Sequence, residues 1–365
     1  MTSIAFPQDD RFAALTAWVA EVLGADAPVP EPLHADASFR RYYRLQGLLQ
    51  PLVVMDAPPE KESLEAFARI DAYLRTLKLS APEIRAMDTE QGFALLEDLG
   101  NHRFSRALNA GADPEALYRL ATDTLVALQQ RWPTLAAQEI APYDEAVLLQ
   151  EALLLLDWYW PEAWQSPCPD EVRQAYIQAW QEVLPAVFTL PQTLVLRDYH
   201  VDNLMVLAGR SGISACGLLD FQDALLGNPA YDLVSLLRDA RRDVPPELAD
   251  AMKGRFYEAL VDENPQAWED SYWILGAQRN SKIIGIFTRL WRRDHKPAYL
   301  SHLPRVWRLL DEELQQPALA PVRAWFEQYL PLQRRLALAE RAEEELLASS
   351  ARAEPEASAP SEPRT

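Results

Sequence analysis

At 365 residues the chain is long enough for two domains or one bilobed unit with sizeable cores. Its 54 acidic against 35 basic residues leave a net charge of −19, and no basic stripe stands out. That balance argues against a general polyanion binder, because nucleic-acid recognition needs cations to replace phosphate counterions.

Hydrophobic residues at 49 % and charged residues at 24 % are ordinary globular proportions. The first ten residues lack a basic start followed by an apolar run, and no apolar stretch reaches the ~20 residues that cross a bilayer. The expectation is a cytoplasmic protein without a membrane partner. Cys168 and Cys216 form neither a disulfide framework nor a zinc pattern and read as free thiols.

In chain order, residues 11–23 set Phe12, Leu15, Trp18, Val19 and Val22 at helical spacing, and Pro28, Pro30 and Pro32 then break the chain. Strand-like runs follow at 39–45, 52–55, 83–87 and 93–97. Between the second and third lies a helix over roughly 61–78, with Phe67, Ile70, Leu74 and Leu77 on one side. Strands, one helix, then more strands is the texture of a small α+β lobe, assigned to 1–99.

Residues 100–348 read as a larger, mostly helical lobe, with helices at 114–132, 143–164, 170–188, 246–261, 267–290 and 304–313. A strand-like island at 193–196, 204–207 and 213–221 interrupts them. Residues 332–347 read as a charged helix. The last stretch, 349–365, holds no large apolar side chain and reads as a disordered tail.

The island carries the chemistry. In Leu194-Val-Leu-Arg-Asp-Tyr-His-Val-Asp-Asn-Leu-Met-Val-Leu207, an apolar strand delivers Asp198 to a polar loop. Asn203 closes that loop before a second strand, and a third strand delivers Asp220 at the end of Cys216-Gly-Leu-Leu-Asp-Phe221. Phosphoryl transfer needs this kind of arrangement, since the protein mainly positions reactants and holds divalent metal with hard oxygen ligands. In that scheme Asp198 accepts or orients the acceptor hydroxyl proton, while Asn203 and Asp220 ligate Mg²⁺ that bridges the ATP phosphates. Three solvated turn residues between strands are the plain alternative.

The stretch resembles the kinase catalytic loop H-R-D-x-x-x-x-N with its downstream metal-binding aspartate, and more closely the H-G-D-x-H-x-x-N loop of the aminoglycoside phosphotransferase and choline kinase family. Asp198, His200 and Asn203 match, whereas Leu196 stands for the first histidine and Arg197 for the glycine. Gly227-Asn-Pro-Ala-Tyr-Asp-Leu233 is similar to that family's G-D-P-x-Y-D-L segment. The resemblance spans residues 34 to about 310. It implies a bilobed protein-kinase-like α+β fold, with a small β-rich N-lobe and a larger helical C-lobe. It also implies ATP and Mg²⁺ as cofactors, His200 as loop scaffold and Asp232 as a brace of the catalytic loop. Ala94-Leu-Leu-Glu-Asp-Leu-Gly100 resembles the hinge, so that main-chain groups near Glu97 and Leu99 meet the nucleotide.

Departures from the family pattern lie in the small lobe. The third-strand lysine that pairs with ATP phosphates in most relatives falls at Met55 or Asp56, and no glycine-rich loop is present. Arg40, Arg41 and Arg44 are cations nearby. Strand alternation places Arg40 and Arg44 with Tyr42 on one face and Arg41 with Tyr43 on the other. Arg40 and Arg44 are candidates for nucleotide contact, with Glu65 as a possible support, against ordinary surface charges as the alternative.

In Gly276-Ala-Gln-Arg-Asn-Ser-Lys-Ile-Ile-Gly-Ile-Phe-Thr-Arg-Leu290, the polar side chains Gln278, Arg279, Lys282 and Arg289 interrupt an apolar helix. They need partners, either a sugar or carboxylate ligand or salt bridges within the protein. This segment, the hairpin 37–44 and Val54-Met-Asp-Ala-Pro-Pro59 are similar to the anomeric kinases for N-acetylmuramate and N-acetylglucosamine in cell-wall recycling. That similarity implies an amino-sugar substrate, a sugar 1-phosphate product, and substrate contacts at Gln278, Arg279 and Lys282. A kinase for another acceptor (aminoglycoside, choline, homoserine) and an ATP-binding pseudokinase remain the alternatives. Oligomeric state is not legible.

Overall fold

The computed structural model describes residues 9–33, 39–132, 140–260 and 264–335. The tail at 349–365, most of the charged helix at 332–347 and the hairpin tip at 36–38 lie outside the described residues. Along the chain run α1 (Asp10–Leu23), β1 (Glu31–Pro32), β2 (Arg41–Leu45), β3 (Leu52–Asp56), α2 (Leu64–Thr76), β4 (Ile84–Asp88) and β5 (Phe93–Glu97). Then come α3 (Phe104–Asn109), α4 (Pro114–Arg131), α5 (Glu145–Ala152), α6 (Trp160–Trp164) and α7 (Asp170–Val183). The island follows as β6 (Thr193–Val195), β7 (Leu204–Val206), β8 (Cys216–Leu218) and β9 (Leu225–Gly227). The remaining helices are α8 (Ala230–Leu237), α9 (Pro246–Leu260), α10 (Pro265–Arg292), α11 (Leu303–Glu313) and α12 (Ala320–Tyr329). A five-stranded sheet toward the N-terminus and a mostly helical remainder make this the α+β, protein-kinase-like architecture that the sequence implies.

Described parts of Met1–Ala141, Thr193–Leu236 and Asp250–Leu260 form one compact unit. Its antiparallel sheet has the order β1-β2-β3-β5-β4. Cross-strand partners share a face, so the registers Tyr43↔Val54↔Leu95 and Tyr42↔Met55↔Ala94 separate two surfaces. The first, with Tyr43, Leu45, Leu52, Val54, Phe93 and Leu95, is covered by Leu15, Trp18 and Val19 of α1. Burial of each such side chain contributes about 1.5–3 kcal/mol. The second presents Tyr42, Arg44, Val53, Met55, Ala94 and Leu96. Helix α1 starts where Asp9 accepts from the Phe12 amide at 2.9 Å, and α2 where the Ser63 hydroxyl accepts from Ala66 at 3.1 Å.

Two further ribbons complete this unit. β6 pairs with β9 and β7 with β8, both antiparallel. Strand β9 was absent from the sequence expectation, and the 213–221 run proves to be a 3₁₀ turn (Gly212–Ala215) before the short β8. β9 is Leu225-Leu-Gly227, with no β-branched or aromatic residue to mark it as a strand.

The second unit comprises described parts of Pro142–Gln192, Leu237–Ala249 and Val261–Thr365. The single helix expected over 143–164 is interrupted by a π-helical segment, Leu155–Tyr159. Beside it Gly285 of α10 approaches the backbone of Leu154 so closely that an added Cβ would lie 2.3 Å from the Leu154 carbonyl carbon. Glycine is the residue that permits this approach. The expected helix over 170–188 divides at Pro185, which turns its last part into a 3₁₀ segment. Glu313 is fully buried, accepting from Arg238 Nε at 2.5 Å and from Asn280 Nδ2 at 2.9 Å; burial still raises its pKa.

Asp71 of α2 is 3 % exposed, and its Oδ1 has no hydrogen-bond partner among the described residues. Burial, with smaller contributions from Glu83 and Glu97 against Arg75, pushes its pKa from 3.8 up to about 7. The folded state therefore holds this proton more tightly than the unfolded chain. The contribution of this group to stability is greatest below pH ~4 and is lost as pH rises to about 7, by on the order of 4 kcal/mol. Asp71→Asn is expected to raise the melting temperature above pH 8 and leave it unchanged near pH 4. Thermal melts across that range check this, and equal effects at both ends would refute it.

Candidate active site

β6 ends at Val195, and the chain then turns through Arg197, whose φ of 70° is left-handed. A Cβ in that region costs roughly 1–2 kcal/mol, which explains the glycine that the family loop carries here. The buried Asp232 of α8 offsets this cost by accepting from the Leu196 amide at 2.7 Å and the Arg197 amide at 2.8 Å. Two charge-assisted bonds to consecutive amides pin the backbone directly before Asp198.

The Asp198 side chain is exposed, while its carbonyl accepts from the His200 amide at 3.1 Å and from Asn203 Nδ2 at 3.1 Å. Asn203, 7 % exposed, also meets Asp220 Oδ2 at 3.3 Å and His200 Nε2 at 3.4 Å. Its own amide donates to the His200 carbonyl at 2.9 Å. The structure thus brings together Asp198, His200, Asn203 and Asp220, and puts Asp232 behind them. His200 is buried inside the loop.

Asp220 is held by β8 and by a left-handed backbone of its own, φ 60°. Phe221, next in the chain, stacks on Phe67 of α2 with centroids 5.1 Å apart. Burial raises the Asp220 pKa and the charges of Asp198 and Asp223 add to this, while Arg40 and Gln222 oppose it. Arg40 Nη2 lies 3.0 Å from Asp220 Oδ1, and Gln222 Nε2 donates to the same oxygen at 3.0 Å.

A hard divalent cation fits this donor set. Asp220 supplies carboxylate oxygens, and Asn203 Oδ1 accepts no hydrogen bond among the described residues. Among those residues no group of three or more His, Cys, Asp or Glu is arranged to hold a metal. Magnesium takes one or two protein oxygens and completes its shell with phosphate and water, and Asp220 and Asn203 could supply such oxygens.

Other expected site residues lie elsewhere or are engaged. Arg44 is forked onto Asp98 at 2.6 and 2.9 Å and also donates to Asn101 Oδ1 at 2.9 Å, so it organises the turn after β5. The Glu97 carboxylate pairs with Arg210, and its amide donates to the Glu83 carbonyl at 2.8 Å; the Asp98 amide donates to Pro51. Leu99 lies half-buried over Gly217 of β8. In the second unit, Gln278 donates to the Leu148 carbonyl at 2.9 Å and to Glu151 at 3.3 Å, and Lys282 pairs with Glu151 at 2.8 Å. Arg279 is 3 % exposed, and its Nη1 has no hydrogen-bond partner among the described residues.

Sequence reasoning missed Glu62, which lies 3.7 Å from Arg40, and named Glu65 instead. Glu65 is exposed, and its carboxylate accepts from the Ser63 hydroxyl at 3.3 Å. The helix expected over roughly 61–78 begins only at Leu64, so Glu62 lies in the segment before α2 and not on the helix. Asp56 at the missing lysine's place is also accounted for. It is fully buried and bound by Arg11 (Nε at 3.0 Å) and Arg41 (Nε at 2.9 Å), while Met55 faces the opposite side with Tyr42.

Residues 10–269 match the profile of the phosphotransferase enzyme family. The chain is 34 % identical over 345 aligned residues to the N-acetylmuramate/N-acetylglucosamine kinase of Caulobacter vibrioides, covering 84 % of this chain and 93 % of the relative. It is 35 % identical over 329 residues to the enzyme of the same name from Pseudomonas aeruginosa, covering 86 % and 95 %. Among solved structures, choline kinase LicA from Streptococcus pneumoniae shares the fold with a TM-score of 0.59 at 12 % identity, over 83 % of this chain and 99 % of that one. The GDP complex of aminoglycoside 2'-phosphotransferase-IIIa does so with a TM-score of 0.54 at 13 % identity, over 84 % and 98 %. With its braced aspartate loop and a profile match over most of its length, the chain belongs to the phosphotransferase enzyme family.

Proposed function

We propose that this protein is an ATP- and Mg²⁺-dependent sugar kinase that phosphorylates the anomeric hydroxyl of N-acetylmuramate and N-acetylglucosamine, giving the sugar 1-phosphate. The observation that carries the reading is the convergence of Asp198, Asn203 and Asp220 on one loop pair, with Asn203 reaching both neighbours. The names of the relatives supply the acceptor class.

In this reading Asp198, exposed at the loop apex, takes the proton of the anomeric hydroxyl. The sugar oxygen bonds to the terminal phosphorus of ATP as the bond to ADP breaks. An anomeric hydroxyl is more acidic than an ordinary alcohol, so a positioned carboxylate suffices as base. Asn203 and Asp220 would hold Mg²⁺, which neutralises phosphate charge when bound. Asp232 acts through the Leu196 and Arg197 amides to hold the base in place.

The hinge contribution narrows to main-chain groups near Leu99, since the amides of Glu97 and Asp98 are taken. Gln278 and Lys282 share Glu151, so Arg279 is the cation assigned to the muramate carboxylate. Its side chain is buried with donor capacity to spare, which favours an anionic partner.

Phosphorus NMR of reactions containing Mg-ATP and either sugar tests the reading. The expected result is a sugar 1-phosphate signal matched by ADP. A phosphate on another hydroxyl, turnover only with aminoglycosides or amino alcohols, or no magnesium-dependent ADP with any acceptor would overturn it.

A further inference from the structure

The fold leaves one electrostatic question: which cation meets the nucleotide phosphates when β3 offers Met55 in place of a lysine. Lys61 stacks on the Phe39 ring 4.3 Å from its centroid. Arg41 is tied to Asp9 at 2.7 Å and Asp56 at 2.7 Å, and Arg44 is forked onto Asp98. Arg210 is paired with Glu97, and Arg197 donates to the Asp223 carbonyl at 3.1 Å. Arg40 differs from all of these. It is 6 % exposed, directly precedes β2 on the side of Tyr42 and Arg44, and touches Asp220.

We propose that Arg40 is the phosphate-binding cation of this enzyme, and that Glu62 is the positioning residue that holds it. The inference rests on the ATP-dependent reading of the same site. Arg40 spans two carboxylates, Asp220 Oδ1 at 3.0 Å and Glu62 Oε2 at 3.7 Å. A planar guanidinium presents five donors in a fixed fork, a geometry that matches carboxylate and phosphate oxygens alike. Glu62 lies two residues before α2 and gives Arg40 a second anchor that does not depend on Asp220. When a divalent cation takes Asp220, Glu62 keeps the guanidinium in place for the phosphates. Arg40 thus serves two states: it balances Asp220 without metal and balances nucleotide phosphate with it. A lysine has one compact ammonium and cannot hold both partners in the same forked geometry.

Calorimetric binding of ATP and of adenosine, without acceptor, tests this in the full chain. Arg40→Gln is expected to weaken ATP binding about tenfold to a hundredfold while adenosine binding stays within about twofold. With Asp220 relieved of its cation, Mn²⁺ titration without nucleotide is expected to tighten in the same variant. Glu62→Gln is expected to lower kcat more than it raises the KM for ATP, and Glu62→Asp to recover part of the loss. Should Arg40→Gln fail to fold by circular dichroism, Arg40→Lys carries the test, with a smaller change of the ATP-to-adenosine ratio in the same direction. An unchanged ratio, or equal weakening of both ligands, overturns the role of Arg40 and leaves the kinase reading intact. Absence of ATP binding by the wild type overturns both.

Discussion

Asp198→Asn is expected to lower turnover about 10²- to 10⁴-fold, the range for removal of a general base. The KM values and the melting temperature are expected to hold. Asparagine keeps the shape of the side chain and its place at the apex but cannot take a proton. The loop does not depend on the carboxylate, because its internal bonds run through the Asp198 carbonyl to His200 and Asn203. An exposed substitution that spares the backbone changes stability by less than about 0.5 kcal/mol. Steady-state ADP release and thermal melts of the purified variant check this. Turnover within threefold of wild type would remove Asp198 from the chemistry.

Asp232→Ala is the second large effect, and it reaches stability as well as rate. The substitution leaves the amides of Leu196 and Arg197 without their carboxylate at a buried place. Each unsatisfied buried donor costs about 1–3 kcal/mol, so a loss of roughly 2–5 kcal/mol is expected. For a chain of 365 residues the melting temperature falls by roughly 3–6 °C. Turnover falls too, because the left-handed turn at Arg197 loses the bonds that hold it. Arg197→Gly in the same background is expected to recover about 1 kcal/mol, since glycine adopts φ 70° without a Cβ penalty. An Asp232→Ala protein that melts with the wild type would show that the loop stands without its brace.

These two predictions rest on residues legible before any coordinates. Asp198 and Asn203 sit five apart on one strand–loop–strand, and Asp232 lies in a segment whose residue types are specific. Chain connectivity alone brings Asp198 and Asn203 near one another, whereas Asp232 reaches the loop across 36 residues. β5 runs over Phe93–Glu97 as expected, and α1 and α4 depart from expectation by a single residue at one end. Their hydrophobic spacing and caps are local signals too.

The partners of isolated charges were a different matter. Glu65 of the interposed helix was the acid named as support, yet the acid beside Arg40 is Glu62, two residues before α2. Arg44 was a candidate for the nucleotide, but Asp98, 54 residues on, takes it. Gln278 and Lys282 looked like polar side chains in want of a ligand, and Glu151, more than 120 positions earlier, supplies a partner. The pairing of β6 with β9 had no sequence signal because Leu225-Leu-Gly227 carries no β-branched or aromatic residue that marks a strand.

The order of residues by itself determined most of the long helices, the main sheet strands and the oxygen-bearing loop, since 3.6- and 2-residue periodicities and turn chemistry act over a few positions. Tertiary structure alone decided which arginine meets Asp220 and which acid meets each buried cation. Ion pairs form between side chains that folding brings within about 4 Å, and separation along the chain carries no record of that distance.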